Sequence, residues 1–328
     1  MPKFDIVTVG SAVSDVFVRT PHQLANVITR NGHQDFCYHV GSKILIDDIH
    51  FETGGGGTNT AIAFARLGFK TGYVGKLGND HNSEFLLDIL QKEHVQFLGS
   101  RGKGLMGFSV IFVALQHDRT ILTYKGVNND LHWNDIDPQA LKTDRFYFSS
   151  MLEKSWETAC RVAQYATKNN IPYSFNPSQY LADKGVKHLA PMLKGCKLLT
   201  LNKEEAETLT GSLSGRPIND LLLKLSKLVP LSVITDGPRG AYAYDGKTKY
   251  TIIPRPVNVV ETTGAGDAFA SGMTAGLHWG MDIDDAMKIG LSEAESVIQH
   301  IGAKNILLSK REAIQALRTR YRITKQII

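Results

Sequence analysis

Cysteine is scarce in this chain of 328 residues: there are 3, Cys37, Cys160 and Cys196, far apart and with no CxxC pair. That excludes a disulfide framework and a thiolate zinc cluster, and it predicts reduced structural thiols in a cytoplasmic protein. No uninterrupted apolar run reaches the length of a membrane helix, and the opening segment MPKFDIVTVG lacks a basic stretch followed by a long apolar one. Neither a membrane span nor a cleaved signal is expected. The formal charge of +5 is modest. Its densest patch, from Lys310 to Lys325, accompanies no nucleic-acid module, so it reads as the solvated face of a terminal helix and its tail, with no nucleic-acid partner. The phosphate-binding pattern GxxxxGK[ST] is missing, as is GxGxxG after the first strand, which argues against two common nucleotide architectures. Neither internal repeats nor a low-complexity linker divides the chain.

What is present is an alternation of short β-like segments with longer helical ones, the pattern of an α/β sheet covered by helices. DIVTV, DRFYFSS, IPYSFNP and KLLTLN read as strands. Helices are expected at about 60–67, 81–93, 156–169, 267–279, 283–299 and 311–321. Asp245-Gly246 predicts a tight hairpin turn between AYAY and KYTII. Two stretches interrupt the scheme, about 15–52 and 105–125. Both are rich in β-branched and aromatic residues, and they predict either a small auxiliary sheet over a crevice or an extension of the main one.

The sharpest constellation is ETTGAGDAFASGMTAG, Glu261 to Gly276. It follows VNVV and precedes a helical run, so the backbone N–H groups of Gly264, Ala265 and Gly266 can face an anion at a helix N-terminus. Asp267 beside them can take the proton of a hydroxyl while the amides hold developing charge; a plain helix cap is the competing assignment. NKEE after KLLTL places Asn202 and Glu205 at a strand end, where a reciprocal capping box is equally natural. TDGPRG, with Thr235, Gly237 and Gly240, reads locally as a β-turn. On another part of the crevice, Gly55 and Gly56 give close backbone access, Asn59 offers a donor and an acceptor, and Asp15 offers an acceptor from a separate strand end.

TTGAGDAF resembles the C-terminal signature of the ribokinase-like, or PfkB-type, carbohydrate kinases, and GGGGTNTAIAFARLG resembles their N-terminal one. With NKEE matching the family's NxxE, the resemblance covers essentially the whole chain. It implies a single domain with a ribokinase-like three-layer α/β sandwich and a small β-sheet lid contributed by about 15–52 and 105–125. It implies an ATP-dependent phosphotransferase acting on a sugar hydroxyl, with Asp267 as base and Gly264, Ala265 and Gly266 as anion hole. A ribonucleoside or adenosine kinase is the alternative within catalysis, and a nucleotide-binding regulatory protein the alternative outside it. Asn202, Glu205, Thr235, Gly237, Gly240 and Thr263 fall to ATP, with Glu205 reaching Mg2+ through water. Asp15, Gly55, Gly56 and Asn59 fall to the substrate. K+ activation and a homodimer through the lid are further family expectations. Glu261 stands where the family has aspartate, and Ser14, Ser149 and Ser150 replace polar or acidic residues of ribokinases, which weakens a strict ribose assignment. Phe36, Tyr38, Ile44, Ile46, Phe108, Val110, Phe112 and Ile121 are candidate cover residues, and Lys43 and Arg101 are candidates for a phosphorylated sugar.

Overall fold

Period-two alternation builds the central sheet. In the strand Phe4–Val9, Ile6 packs into one apolar cluster and Val7 and Val9 into another; in Thr143–Phe148, Tyr147 opposes Phe146 and Phe148 in the same way. A sheet apolar on both faces has to be covered on both. The computed structural model describes residues 3–19, 26–30, 33–113 and 119–328. Its main sheet has ten strands in the order Arg322–Ile327, Thr248–Ile253, Ala241–Tyr244, Ser232–Thr235, Leu198–Asn202, Tyr173–Phe175, Thr143–Phe148, Phe4–Val9, Thr71–Val74 and Gln96–Phe97. From Ser232–Thr235 to Gln96–Phe97 all neighbours are parallel. The strands beyond Ser232–Thr235 are antiparallel.

Helices Gly56–Arg66, Ala265–His278 and Ile283–Val297 cover one face, burying Phe64, Phe269, Met273 and Met287. Glu153–Lys168, Gly185–Leu193, Lys203–Leu209 and Ile218–Leu225 cover the other, burying Val162, Leu189, Leu209 and Leu221. The result is the three-layer α/β arrangement that the alternation predicts. The hairpin at Asp245-Gly246 also forms: the Asp245 carboxylate accepts from the N–H groups of Lys247 and Thr248 at 2.9 and 2.7 Å, and Gly246 has φ 90°.

A second sheet of four strands runs in the order Arg119–Tyr124, Gly107–Val113, Val13–Arg19 and Asp48–Gly54. Its register sets Asp15 opposite Ser109 on one side and Glu52 on the other. The antiparallel ribbon Asn26–Arg30 with His33–Cys37 lies in sequence between Val13–Arg19 and Asp48–Gly54.

The C-terminal patch departs from the expected helix and tail. The last helix is short, Lys310–Ala316, and Arg322–Ile327 is the antiparallel edge strand of the main sheet. Tyr321 and Ile323 pack on the helix-covered face while Arg322 and Lys325 stay exposed, and Lys325 pairs with Asp284. The charges masked a two-residue alternation, and they are what an unpartnered sheet edge needs to resist pairing with another chain.

Candidate active site

The helix Ala265–His278 starts at the carboxyl edge of the parallel strands, where open α/β sheets place their crevice. Gly264 is its N-cap in the left-handed region, φ 84°, and a methyl there would lie 2.3 Å from Ala303 Cβ. Both the backbone angle and the close neighbour require glycine. Glu261 braces the preceding loop: its two carboxylate oxygens accept from the N–H and the hydroxyl of Thr263, each at 2.8 Å. The Ala265 N–H makes a long turn bond to Thr262 O at 3.3 Å. No acceptor among the described residues takes the Gly266 N–H, as expected of a helix's first turn. Asp267 lies inside that turn, so it does not cap the helix.

Asn59 Nδ2, one turn into the helix Gly56–Arg66, donates to Asp267 Oδ2 at 2.8 Å. Withdrawal from water raises the Asp267 pKa, against the Asn59 hydrogen bond and the positive field of Lys304. The carboxyl is thereby a stronger base than an exposed aspartate, while the helix N-terminus still favours its charge.

The first turn of this helix separates two cavities. The one that Asp267 enters is about 330 Å³, and Ser11, Asp15, Gly55, Gly56 and Ser149 line it. The other is about 580 Å³ and takes Thr235, Gly237, Gly240, Ala265 and Gly266, with Val257, Phe269 and Leu291 among its apolar walls. Asn59, Gly264, Asn202, Glu205 and Thr263 line neither; Thr262, not Thr263, faces the larger cavity.

Asn202 and Glu205 form the capping box of Lys203–Leu209. Asn202 Oδ1 accepts from the Glu205 N–H at 2.8 Å, and Glu205 Oε2 from the Asn202 N–H at 2.9 Å. Burial first, and then the fields of Asp267 and Glu204, push Glu205 up to about 7. A nearby cation would reverse that shift. Among the described residues no group of three or more His, Cys, Asp or Glu side chains gathers to hold a metal. A magnesium ion here would therefore draw most of its ligands from water and phosphate, its usual habit.

On the smaller cavity, Gly55 caps Gly56–Arg66 with φ 94°, and a methyl there would lie 2.5 Å from Ser11 O. Asp15 is buried beside it. Loss of water raises its pKa, and a hydrogen bond from Ser109 and the field of Lys304 oppose the rise. Three polar atoms near the base are buried without a partner among the described residues: Asn59 Oδ1, Ser149 Oγ and Tyr147 OH. Of the three only Ser149 lines the smaller cavity, so its hydroxyl is the orphan that a ligand there can reach.

Two residues here were not flagged by the sequence. Lys304, in GAKN after the last long helix, is buried and donates to Thr53 O at 2.6 Å and Thr53 Oγ1 at 3.0 Å. Desolvation pushes its pKa down to about 7 against the fields of Asp15, Glu52 and Asp267. Lys125, at the end of the strand Arg119–Tyr124, lines the smaller cavity. A lone charge where a strand meets the crevice was the available signal for Lys125; for Lys304 no local pattern existed. Of the cover residues, Ile121 lines that cavity and Tyr38 packs its ring 6.4 Å from Phe112. The Phe36 side chain lies outside the described residues. Arg101 is committed to Gly78 O and Glu84, and Lys43 is exposed. No helix among the described residues is long and apolar enough to cross a membrane.

With this geometry in place, a family model for pfkB family carbohydrate kinases matches residues 24–310. The ribokinase of Bacillus subtilis is 29% identical over 287 residues, covering 84% of this chain and 92% of the relative. The 5-dehydro-2-deoxygluconokinase of Clostridium perfringens is 27% identical over 316 residues, covering 90% and 87%. The solved adenosine kinase of Sinorhizobium meliloti superposes with a TM-score of 0.80 at 22% identity, over 96% of this chain and 99% of that one, so the ribokinase-like fold is shared.

Proposed function

Because the chain belongs to the pfkB family of carbohydrate kinases, we propose that it transfers the γ-phosphoryl group of ATP to a hydroxyl of a sugar, with Asp267 as the base. One observation carries this assignment: a single helix turn presents a carboxylate to one cavity and backbone to the other. Such a turn can hold an alcohol and a polyphosphate on opposite sides of one reacting line.

The larger cavity suits ATP. Its apolar walls can enclose a purine, Thr235 and the turn Gly237–Gly240 approach the nucleotide, and the amides of Gly264 to Gly266 receive phosphate oxygens. In the smaller cavity Asp15 orients the sugar through its hydroxyls, aided by close backbone at Gly55 and Gly56, and Asn59 serves the substrate side by holding Asp267 in place. Asp267 takes the hydroxyl proton as the alcohol oxygen bonds to the γ-phosphorus and the bond from that phosphorus to the bridging oxygen breaks. ADP leaves with the bridging electron pair, and the amides hold the charge on the transferring group. Bound magnesium would supply charge neutralisation on the phosphates, with Glu205 holding one of its waters. Asn202 and Thr263 act through the loops they brace. The sheet carrying Asp15 serves as the lid of a single domain, excluding water when substrate is bound.

The relatives' names span a pentose, a sugar acid and a nucleoside, so the acceptor is to be identified by assay. The purified protein with Mg·ATP is offered D-ribose, D-fructose, D-gluconate, 5-dehydro-2-deoxy-D-gluconate and adenosine, with products read by mass, in potassium and again in sodium buffer. A mass gain of one phosphate on a sugar or sugar acid supports the assignment. Phosphorylation of adenosine alone would replace it with the nucleoside reading, and no product anywhere would overturn it.

A further inference from the structure

The acceptor cavity contains one feature that a neutral sugar does not explain. Among the described residues that line it, Lys125 is the only cation, and it also lines an adjoining cavity of about 320 Å³ with Asn129 and Asp130. Its ammonium lies 4.5 Å from the ring centre of Tyr180, another wall of the acceptor cavity. No carboxylate among the described residues pairs with it. Lys154, the other lysine of the adjoining cavity, is already bonded to Asp130 at 2.9 Å. Asp15 acts on Lys125 only through space, and has its own stabilisation from Ser109 and Lys304. Partial burial lowers the Lys125 pKa, the mark of a cation whose lost hydration is not made good by a partner.

We propose that Lys125 receives a carboxylate of the substrate, so that the acceptor is a sugar acid whose acidic end lies at the junction of the two cavities and whose hydroxyl end faces Asp267. The inference rests on the sugar-kinase assignment above and names the substrate class for that site. A carboxylate fits better than a phosphate. A phosphate dianion calls for several donors or a second cation, and the two basic residues that might have supplied one, Arg101 and Lys43, are respectively bonded elsewhere and absent from the lining. The serines and asparagines of the cavity provide the neutral donors and acceptors that the sugar's hydroxyls require.

The test compares matched pairs, D-ribose with D-ribonate and D-glucose with D-gluconate, with D-ribose 5-phosphate as the phosphate arm, on the wild-type protein and on Lys125→Met and Lys125→Arg. At least one acid should exceed its neutral partner in kcat/KM by tenfold or more. Lys125→Met should raise KM for that acid by about 10- to 100-fold, the range for a lost hydrogen bond to a charged group. KM for ATP should be unchanged, and Lys125→Arg should recover part of the loss. Phosphorylation of the neutral sugars with the acids refused, or preference for the sugar phosphate, would overturn this inference and leave the kinase assignment standing. An equal loss for acid and neutral substrates in Lys125→Met would also overturn it, assigning Lys125 to general support of Asp15. Failure of every substrate would overturn both.

Discussion

The two cavities that meet at Asp267 are built differently. The larger one takes its exposed backbone from short contiguous pieces, one strand end with the turn that follows it and one helix start, while the paired Arg255 and Glu295 join its lining from other segments. The smaller one gathers Ser11, Asp15, Lys125, Ser149 and Asn176 from widely separated segments and from both sheets. A site made from contiguous pieces is governed by local rules of turns and helix ends, and those rules suit a phosphate chain that many enzymes share. A site made at the crossing of distant segments changes whenever one segment changes, which suits the recognition of a particular alcohol. Asp267 belongs to both, since its backbone follows the anion-facing amides and its carboxyl enters the acceptor side.

The strongest way to break this division is to remove the shared group. Asp267→Asn should lower kcat by about 10²- to 10⁴-fold with KM for ATP and the thermal transition close to wild type, because the amide keeps the shape and can still accept from Asn59. The base works only when ionised, and its pKa is raised by loss of water. Wild-type turnover should therefore fall as the pH drops through a value above the usual aspartate range, and the variant's residual rate should lack that limb. A kcat within about threefold of wild type across the pH range would remove Asp267 from the chemistry.

The same division separates what was legible in the sequence from what was not. TTGAGDAF, NKEE and TDGPRG are contiguous, so their local geometry follows from glycine positions and strand ends, and the central sheet follows from alternation such as Ile6 against Val7. The edge strand Arg322–Ile327 was hidden because the dense run of positive charge from Lys310 to Lys325 reads as a solvated helix and tail, and only two inward residues, Tyr321 and Ile323, reveal it. Asn202 and Glu205 show a further limit: a spacing of three suits both a capping box and a nucleotide motif, and the structure forms the box. Lys304 became visible only when the fold brought GAKN against Thr53, and Lys125, signalled in the sequence by no more than a lone charge at a strand end, gained its place when TYKG came against Tyr180.

Lys304 offers a way to sharpen the comparison, because it acts on both acidic groups of the acceptor side without lining the cavity. Its field lowers the pKa of Asp267 and of Asp15, and its bonds to Thr53 hold the strand paired with Asp15's own. In Lys304→Met the Asp267 pKa should rise and the acid limb of kcat should move to higher pH. One unit of movement lowers the ionised fraction on that limb by about tenfold. The sign reverses for the lysine itself: burial pushes it down to about 7, so its charge fades as the pH rises through that value. The ratio of wild-type to variant activity should thus be largest below pH 7 and shrink above it. A ratio constant with pH would reduce Lys304 to a structural tie.

The smallest effect should come from the partition itself, where two glycines two residues apart serve different ends. A methyl at Gly264 meets Ala303 at 2.3 Å in a left-handed backbone, so Gly264→Ala should lose about 1–3 kcal/mol of stability through strain and overpacking. A methyl at Gly266 meets nothing within 4 Å, and the residue is helical. Gly266→Ala should gain up to about 1 kcal/mol of stability from the helix preference of alanine. If the nucleotide's phosphates approach this backbone, the same methyl should crowd them and raise KM for ATP about fivefold, the lower end of what overpacking produces, with KM for the sugar unchanged. Thermal unfolding and the two KM values read these outcomes separately. A more stable Gly266→Ala protein with an unaltered KM for ATP would mean that the phosphates do not approach this backbone, and the division between the cavities would then lie elsewhere than at the first turn of this helix.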